Sequence, residues 1–482
     1  MREPLIIQGG MGAGVSSWKL AKAVSQAGQL GVVSGTALEN ILSRRLQMGD
    51  LDGSVRRALS FFPDPAVTWR VLNRYFIPRG KDRNVPFKNP PMFTQKPSQE
   101  LLELTIAANF VEVFLAKEGH SGAVGINYLE KIQLPTLPSL YGALLAGVDY
   151  VLMGAGIPRA IPGILDQLAL SQEVSLKLNV QGAGTEDSYL IQFDPRSILG
   201  VRVPPLRRPK FLAIVASEVL AATLAKKSSG RVDGFVVEGP TAGGHNAPPR
   251  GTAQFNEKGE PLYGPKDEVD PAAIQKLGLP FWLAGSYGDP EKLKEAIELG
   301  ATGVQVGTLF AYCEESGLTD ELKKRVFDRV LEDRAEVFTD PVASPTGFPF
   351  KVVQLEGTQS EKSVYEGRTR ICDLGYLRSL FKRKDGSLGY RCPGEPVGTY
   401  FQKEGKVEDT PGRKCLCNSL LANVGLAQTQ RDGRVERPLL TSGDELGKIA
   451  QFLKSGKLSY SAEEVIQYLL AALPKGFVPL WV

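Results

Sequence analysis

From the first residues to about residue 310, short apolar, β-branched runs alternate with longer stretches of helical spacing. Leu5–Gln8 (LIIQ) runs into glycines, and Trp18–Ala27 (WKLAKAVSQA) follows with a helical pattern. Gly31–Ser34 (GVVS) closes in Gly35, and Gly125–Asn127, Tyr150–Met153, Phe211–Ala216, Gly234–Glu238 (GFVVE), Phe281–Ala284 (FWLA) and Gly303–Val306 (GVQV) repeat the theme. Each run is short and nearly all apolar, and Gly, Asn or Ser precedes the next helix. Strands buried on both faces have this character, and their alternation with helices predicts a parallel sheet. Eight such units fit an α/β fold of the (β/α)₈ TIM-barrel type with insertions. The pattern alone also leaves an open doubly wound sheet in play.

Two interruptions stand out. Leu51 to Lys96 has helical pieces and then a proline-rich stretch (VPFKNPPMFTQKP), an excursion inserted after the second unit, at about 51–96. Asn246 to Asp270, at about 246–270, is a polar, Pro/Gly-rich loop directly after a strand end, and loops that long are often lids or binding loops. After about Val353 the βα rhythm stops. The expected organisation is therefore a barrel over 1–353 and a C-terminal extension over 354–482, with a Cys-rich stretch and amphipathic helices near Asp444–Leu453 and Ala462–Leu473.

Composition narrows the function classes. Hydrophobic residues make up 42% and charged residues 23%, as in an ordinary globular protein. The net charge is +4, from 57 basic and 53 acidic residues, too balanced to imply a nucleic-acid or membrane partner. The densest basic stretch, Arg202 to Lys210, is interleaved with prolines and reads as a solvated connection. No apolar run approaches the roughly 18 residues of a membrane span, and the N-terminus lacks the pattern of a signal peptide. Five cysteines form no disulfide framework, so a cytoplasmic location is the expectation.

Three glycine clusters carry the chemistry. Gln8-Gly9-Gly10-Met11-Gly12-Ala13-Gly14 lies between a strand and a helix. It fails the dinucleotide fingerprint, because Val15 stands where the third glycine is needed and no acid follows the second strand. Glycines there still let a flat ligand approach the backbone. Glu238 to His245 (EGPTAGGH) follows the GFVVE strand, so it falls on the face where barrel enzymes keep their active sites. One of only two histidines in the chain, His245 is placed for acid–base work; the bland alternative is a ring satisfying loop carbonyls. Ala284-Gly285-Ser286-Tyr287-Gly288 and Val306-Gly307-Thr308 form consecutive strand-end turns, the usual barrel site for a phosphate.

With these motifs in order from residue 5 to about 351, the chain resembles the nitronate monooxygenase family (2-nitropropane dioxygenases), which are FMN-dependent barrels. LIIQGGMG resembles the family's first strand and turn, EGPTAGGH its flavin loop, and AGSYGDP with GVQVGTLF its phosphate turns. Gly125-Ile126-Asn127 resembles the strand that brings an asparagine to the flavin, and Ser344 to Lys351 (SPTGFPFK) the stretch closing the barrel. The resemblance implies FMN held by Gly9, Gly10, Met11, Asn127, Gly243, Gly244, Gly285, Gly307 and Thr308. Ser34, Gly35, Gln181, Glu238, Ala242 and Ser286 join the cofactor's surroundings, and His245 becomes the catalytic residue. The implied reaction is oxidation of an alkyl nitronate or similar carbon acid, with O₂ as acceptor.

The same scaffold resembles flavin enoyl-thioester (enoyl-ACP) reductases driven by NAD(P)H, including those attached to polyunsaturated fatty acid synthases, which share the Gly-Gly-His motif. The 246–270 loop and the long tail depart from the compact nitronate enzymes. A third reading, a non-catalytic accessory barrel binding FMN or a phosphorylated ligand, leaves His245 without a purpose. A small-molecule substrate is the expected partner, and a homo-oligomer stays open. His120 reads as a surface-turn residue; Glu130 and Lys131 read equally as active-site contacts or as an exposed helix-start pair. Cys372, Cys392, Cys415 and Cys417 lack the Cys-x₂-Cys pairs of common metal sites and read as buried thiols, with no metal expected. Cys313 reads as packing.

Overall fold

The computed structural model describes residues 3–201 and 203–474. Arg202, which opens the basic stretch, and residues 1–2 and 475–482, at the ends of the two expected units, lie outside the described residues. Eight strands close a barrel: β1 (Ile6–Gln8), β2 (Leu30–Ser34), β3 (Val124–Leu129), β4 (Tyr150–Gly154), β5 (Lys210–Val215), β6 (Gly234–Glu238), β7 (Phe281–Ala284) and β8 (Gly303–Val306). Each pairs in parallel with its sequence neighbours, and β1 pairs with β8. The chain is therefore a (β/α)₈ barrel and not an open doubly wound sheet, and every strand corresponds to an apolar run in the sequence.

The barrel is filled by side chains. Ile7, Leu30, Val32, Tyr150, Leu152, Leu212, Val236 and Trp282 pack in its centre, and Gly125 makes room because a Cβ there would press on Leu152 and Val32. At the N-terminal end Trp282 Nε1 donates to the Pro4 carbonyl at 2.8 Å and Tyr150 donates to Glu3 at 2.8 Å. These bonds satisfy two polar groups that their large rings carry into the core.

The excursion after β2 is built from helices Ser54–Ser60 and Pro65–Tyr75 followed by irregular chain, and helix Gln99–Lys117 then leads into β3. The chain between β4 and β5 holds an excursion that the sequence pattern did not single out, including an antiparallel pair of Val174–Lys177 with Leu190–Phe193. Residues 246–270 form no helix or strand. Among the described residues no helix is long and apolar enough to cross a membrane.

Beyond the barrel, Val337–Asp340 and Phe350–Val353 form an antiparallel pair. The tail then wraps back over the C-terminal ends of the barrel strands. Of its two expected helices, Ala462–Leu470 is α-helical and Leu446–Phe452 is a 3₁₀ segment. Tyr460, just before the last helix, donates to the Leu309 carbonyl at 2.7 Å and anchors it to the barrel. Cys372, Cys392, Cys415 and Cys417 line one small void as free thiols, and among the described residues no group of three metal-capable side chains is arranged to hold an ion. Cys313 is fully buried beneath the last barrel turn.

Candidate active site

The C-terminal ends of all eight strands open into one cavity of about 440 Å³, within the ~300–1,000 Å³ range of cofactor and substrate sites. The turn after β1 forms one wall. Buried Gln8 accepts the Val32 N–H and donates to Ser16, whose hydroxyl in turn accepts the Met11 N–H at 2.9 Å and donates to the Gly9 carbonyl at 3.0 Å. Ser34 donates to the Gly12 carbonyl. This network stiffens Gly9–Gly12, leaving a glycine-lined surface against the cavity.

Asn127, opposite Ser34 in the β2–β3 register, donates through Nδ2 to the Gly10 carbonyl at 3.1 Å. Its Oδ1 is buried with no partner, and a Cβ on Gly10 would stand 2.0 Å from it. A buried orphan acceptor is costly, which fits an N–H donor from a ligand lying on this turn.

Across the cavity, the turns after β7 and β8 supply donors. Gly285 (φ +99°) and Ser286 (φ +56°) are both left-handed, an arrangement in which successive N–H groups converge on an anion. The backbone N–H groups of Gly243, Gly285, Ser286, Gly307 and Thr308 have no acceptor among the described residues. Ala37 and Ala155, also left-handed without being glycine, line the same cavity, so backbone strain gathers at this rim.

His245 comes from the loop after β6. Its Nε2 lies 2.6 Å from Ser344 Oγ, and the Phe350 ring stands edge-on to it at 4.8 Å. Burial, reinforced by the nearby Lys131 cation, lowers its pKa to about 3, so the imidazole is neutral at ordinary pH. Lys131 sits over the Phe348 ring and is itself lowered to about 8 by burial. Burial raises Glu238, at the end of β6, to about 7. Carboxyl, imidazole and ammonium thus all sit in low-dielectric surroundings that shift them toward their neutral forms.

Thirteen of the expected cofactor residues line this one cavity together with His245: Gly9, Gly10, Met11, Ser34, Asn127, Glu238, Ala242, Gly243, Gly244, Gly285, Ser286, Gly307 and Thr308. Two do not. Gln181 is exposed, on a short strand paired with tail residues Leu380 and Phe381, and it accepts from Arg391. Its VQGAG context imitates a barrel strand and turn, but the strand lies outside the barrel. Gly35 is buried behind the wall, where a Cβ would strike the Tyr128 ring, so its role is packing. His120 caps the end of helix Gln99–Lys117 through Ala116 and Gly122, away from the cavity. Glu130 and Lys131 precede helix Thr136–Leu145 without belonging to it, and both are half-buried, not exposed.

The sequence reading expected the C-terminal extension to pack on the barrel, over its active face, but named none of the tail residues that do so. Thr441 accepts the Gly244 N–H at 2.8 Å, the Gly443 N–H donates to Thr308 Oγ1 at 2.9 Å, and Glu445 accepts the Gly288 N–H at 2.9 Å. Leu374, Tyr376, Leu377, Leu416 and Cys417 complete the lining on that side. Thr441-Ser-Gly-Asp carries a turn signature, but nothing local in it points to a distant barrel face.

Fold and rim together define a barrel protein with a covered strand-end cavity combining a glycine-lined surface, a nest of backbone donors and a buried histidine. Residues 207–345 match the family model described as nitronate monooxygenase, so this segment of the chain is similar to that family. A probable nitronate monooxygenase of Bacillus subtilis is 35% identical over 113 residues, 23% of this chain and 30% of that protein. The (3aS,4S,5R,7aS)-5-hydroxy-7a-methyl-1-oxo-octahydro-1H-indene-4-carboxyl-CoA dehydrogenase of Rhodococcus jostii is 30% identical over 144 residues, 30% of this chain and 35% of that protein. The chain thus spans about a third of the length of these curated relatives. Among solved structures, FabK from Thermotoga maritima aligns over 98% of this chain and 93% of its own at 16% identity, with a TM-score of 0.46.

Proposed function

We propose that the cavity holds FMN and that the protein is an FMN-dependent oxidoreductase, oxidising an alkyl nitronate or similar carbon acid with O₂. The observation that carries this reading is the pairing of two ligand-seeking features across one cavity: the orphan Asn127 Oδ1 above Gly10, and the unfilled N–H groups of Gly285, Ser286, Gly307 and Thr308. The first suits the N–H edge of a flat heterocycle and the second a phosphate. Gly9, Gly10, Met11 and Asn127 would hold the ring, and Gly243, Gly285, Ser286, Gly307 and Thr308 the phosphate end. FMN would supply the electron acceptance and return that no side chain can provide.

The protein's own groups do the rest. Neutral His245 can take a proton from a substrate carbon or hold an anionic substrate through a ring N–H. Lys131, close enough to depress His245, favours a negative charge on the substrate side. The tail excludes water from the phosphate side by laying Thr441 to Glu445 across it.

A second reading has a specific observation behind it. Leu129, Ile132, Ile157, Ile214, Leu220 and Phe348 line the cavity with more apolar surface than a small nitronate requires. With a relative named for a carboxyl-CoA substrate, this favours a thioester substrate, and so the reduction of an enoyl thioester at NAD(P)H's expense. The cofactor claim is tested by denaturing the purified protein and analysing what it releases. One FMN per chain is expected; a colourless protein that cannot be reconstituted with FMN contradicts the proposal.

A further inference from the structure

The histidine does not end the hydrogen-bonded chain in which it stands. Ser344, fully buried (0% exposed), faces His245 Nε2 at 2.6 Å and Thr346 Oγ1 at 2.8 Å, and it accepts the Thr346 backbone N–H at 3.2 Å. Thr346 is half-buried beside exposed Gly347. Three groups thus lead in line from the cavity to the surface. The chain is held from outside the barrel: Arg413 of the tail donates to the Ser344 carbonyl at 2.6 Å and to the Val342 carbonyl at 2.9 Å. His245 Nδ1 has no partner among the described residues, and the residue lines the cavity.

We propose that Ser344 and Thr346 form a proton wire connecting His245 with solvent, a role that rests on His245 acting as acid–base residue in the proposed function. Two arrangements satisfy Nε2 and both hydroxyls, with Nδ1 left facing the cavity. In one, His245 Nε2–H donates to Ser344 Oγ and the Ser344 hydroxyl donates to Thr346 Oγ1. In the other, the Thr346 hydroxyl donates to Ser344 and the Ser344 hydroxyl donates to Nε2, leaving the ring proton on Nδ1. The Ser344 oxygen keeps the Thr346 N–H as a fixed donor in both.

Passage between the two moves one proton. Nδ1 takes a proton from the cavity and Nε2 releases its own to Ser344 Oγ. Ser344 passes its hydrogen to Thr346 Oγ1, and Thr346 passes its hydrogen to water. One N–H forms and one breaks at the ring, each hydroxyl gains one hydrogen and loses one, and no electrons change hands. Run in reverse, the wire delivers a proton to the cavity. A buried base without such an exit would have to open the site to discharge.

Both hydroxyls act through His245 and are positioning residues. Thr346→Val keeps the branched shape and the backbone N–H but removes the exit hydroxyl, while Thr346→Ser and Ser344→Thr keep a hydroxyl. With histidine labelled in ¹⁵N and His120→Gln leaving a single ring, exchange of the His245 ring proton with water is measured by NMR in the resting protein. The wire predicts exchange slowed by about tenfold in Thr346→Val and restored in Thr346→Ser. Unchanged exchange in Thr346→Val overturns it, whatever the substrate proves to be.

With FMN bound and the donor that the wild type turns over, kcat of Thr346→Val falls by about tenfold at unchanged KM. Added imidazole, a soluble proton carrier, restores it. A wild-type kcat in Thr346→Val, or a loss that imidazole does not relieve, also overturns the wire. Failure of the functional reading shows separately, as a wild type that lacks FMN.

Discussion

The backbone N–H of Gly443 donates to the hydroxyl of Thr308 at 2.9 Å, joining the tail to the last turn of the barrel across more than a hundred residues of sequence. Two residues further on, Glu445 accepts the Gly288 N–H just ahead of helix Pro290–Glu298. Burial raises the Glu445 pKa, and the Gly288 N–H opposes that rise. Glu445→Ala leaves that N–H buried without an acceptor, and stability falls by about 1–3 kcal/mol. Glu445→Gln keeps an acceptor and loses less. Denaturant titration of the two variants checks the order.

Gly243 meets the tail without side-chain space between them. A Cβ there would stand 2.8 Å from both Gly443 N and Ser442 C, backbone atoms that cannot rotate away. Gly243→Ala therefore displaces the 441–445 segment, costing about 1–3 kcal/mol as an overpacked contact does. FMN binding weakens with it. Fluorescence titration of the apoprotein with FMN reads the loss directly, while Gly398→Ala, in helix Val397–Gln402 with nothing within 4 Å of the added carbon, leaves FMN binding unchanged.

His245 is buried in its neutral form, with a pKa of about 3 against an ordinary 6.5. The folded protein then binds fewer protons than the unfolded chain at this position. Its share of stability is fully present above pH 6.5 and is lost as the pH falls from there toward about 3. His245→Gln flattens that part of the stability profile. FMN is retained in the variant, because the expected phosphate and ring contacts come from other residues, and turnover drops by about 10²–10⁴.

Glu238 shifts the other way, to about 7 from an ordinary 4.5, because burial penalises its charge. The folded state holds this proton more tightly, so the favourable share is complete below pH 4.5 and is lost as the pH rises to about 7. Glu238→Gln removes that dependence. Stability curves of wild type and variant recorded between pH 5 and 8 should converge at the acid end and separate toward pH 8, the variant being the more stable there.

The barrel was legible because its strands are local features: each is a buried apolar run ended by glycine or a small polar residue, and all eight stand where the pattern put them. The strand-end loops were legible for the same reason, since Gly285 and Gly243–His245 mark their geometry in their own residue types. Gln181 came only with the family resemblance, whereas its pairing with Leu380 and Phe381 depends on a segment about two hundred residues away. Thr441, Gly443 and Glu445 were missed on similar grounds. Their partners Gly244, Thr308 and Gly288 lie far back in the chain, and a hydrogen bond between such distant backbones leaves no periodic trace.

The most direct test of the central claim is the visible spectrum of the purified protein under anaerobic conditions, before and after addition of propionate 3-nitronate or NADPH. The account predicts flavin absorption bands that one of these donors bleaches and that return when O₂ is admitted or an enoyl thioester is added. Bleaching by the nitronate identifies the carbon-acid oxidation, and bleaching by NADPH identifies the thioester reduction. Flavin bands that neither donor changes would contradict a catalytic role for the cavity and for His245.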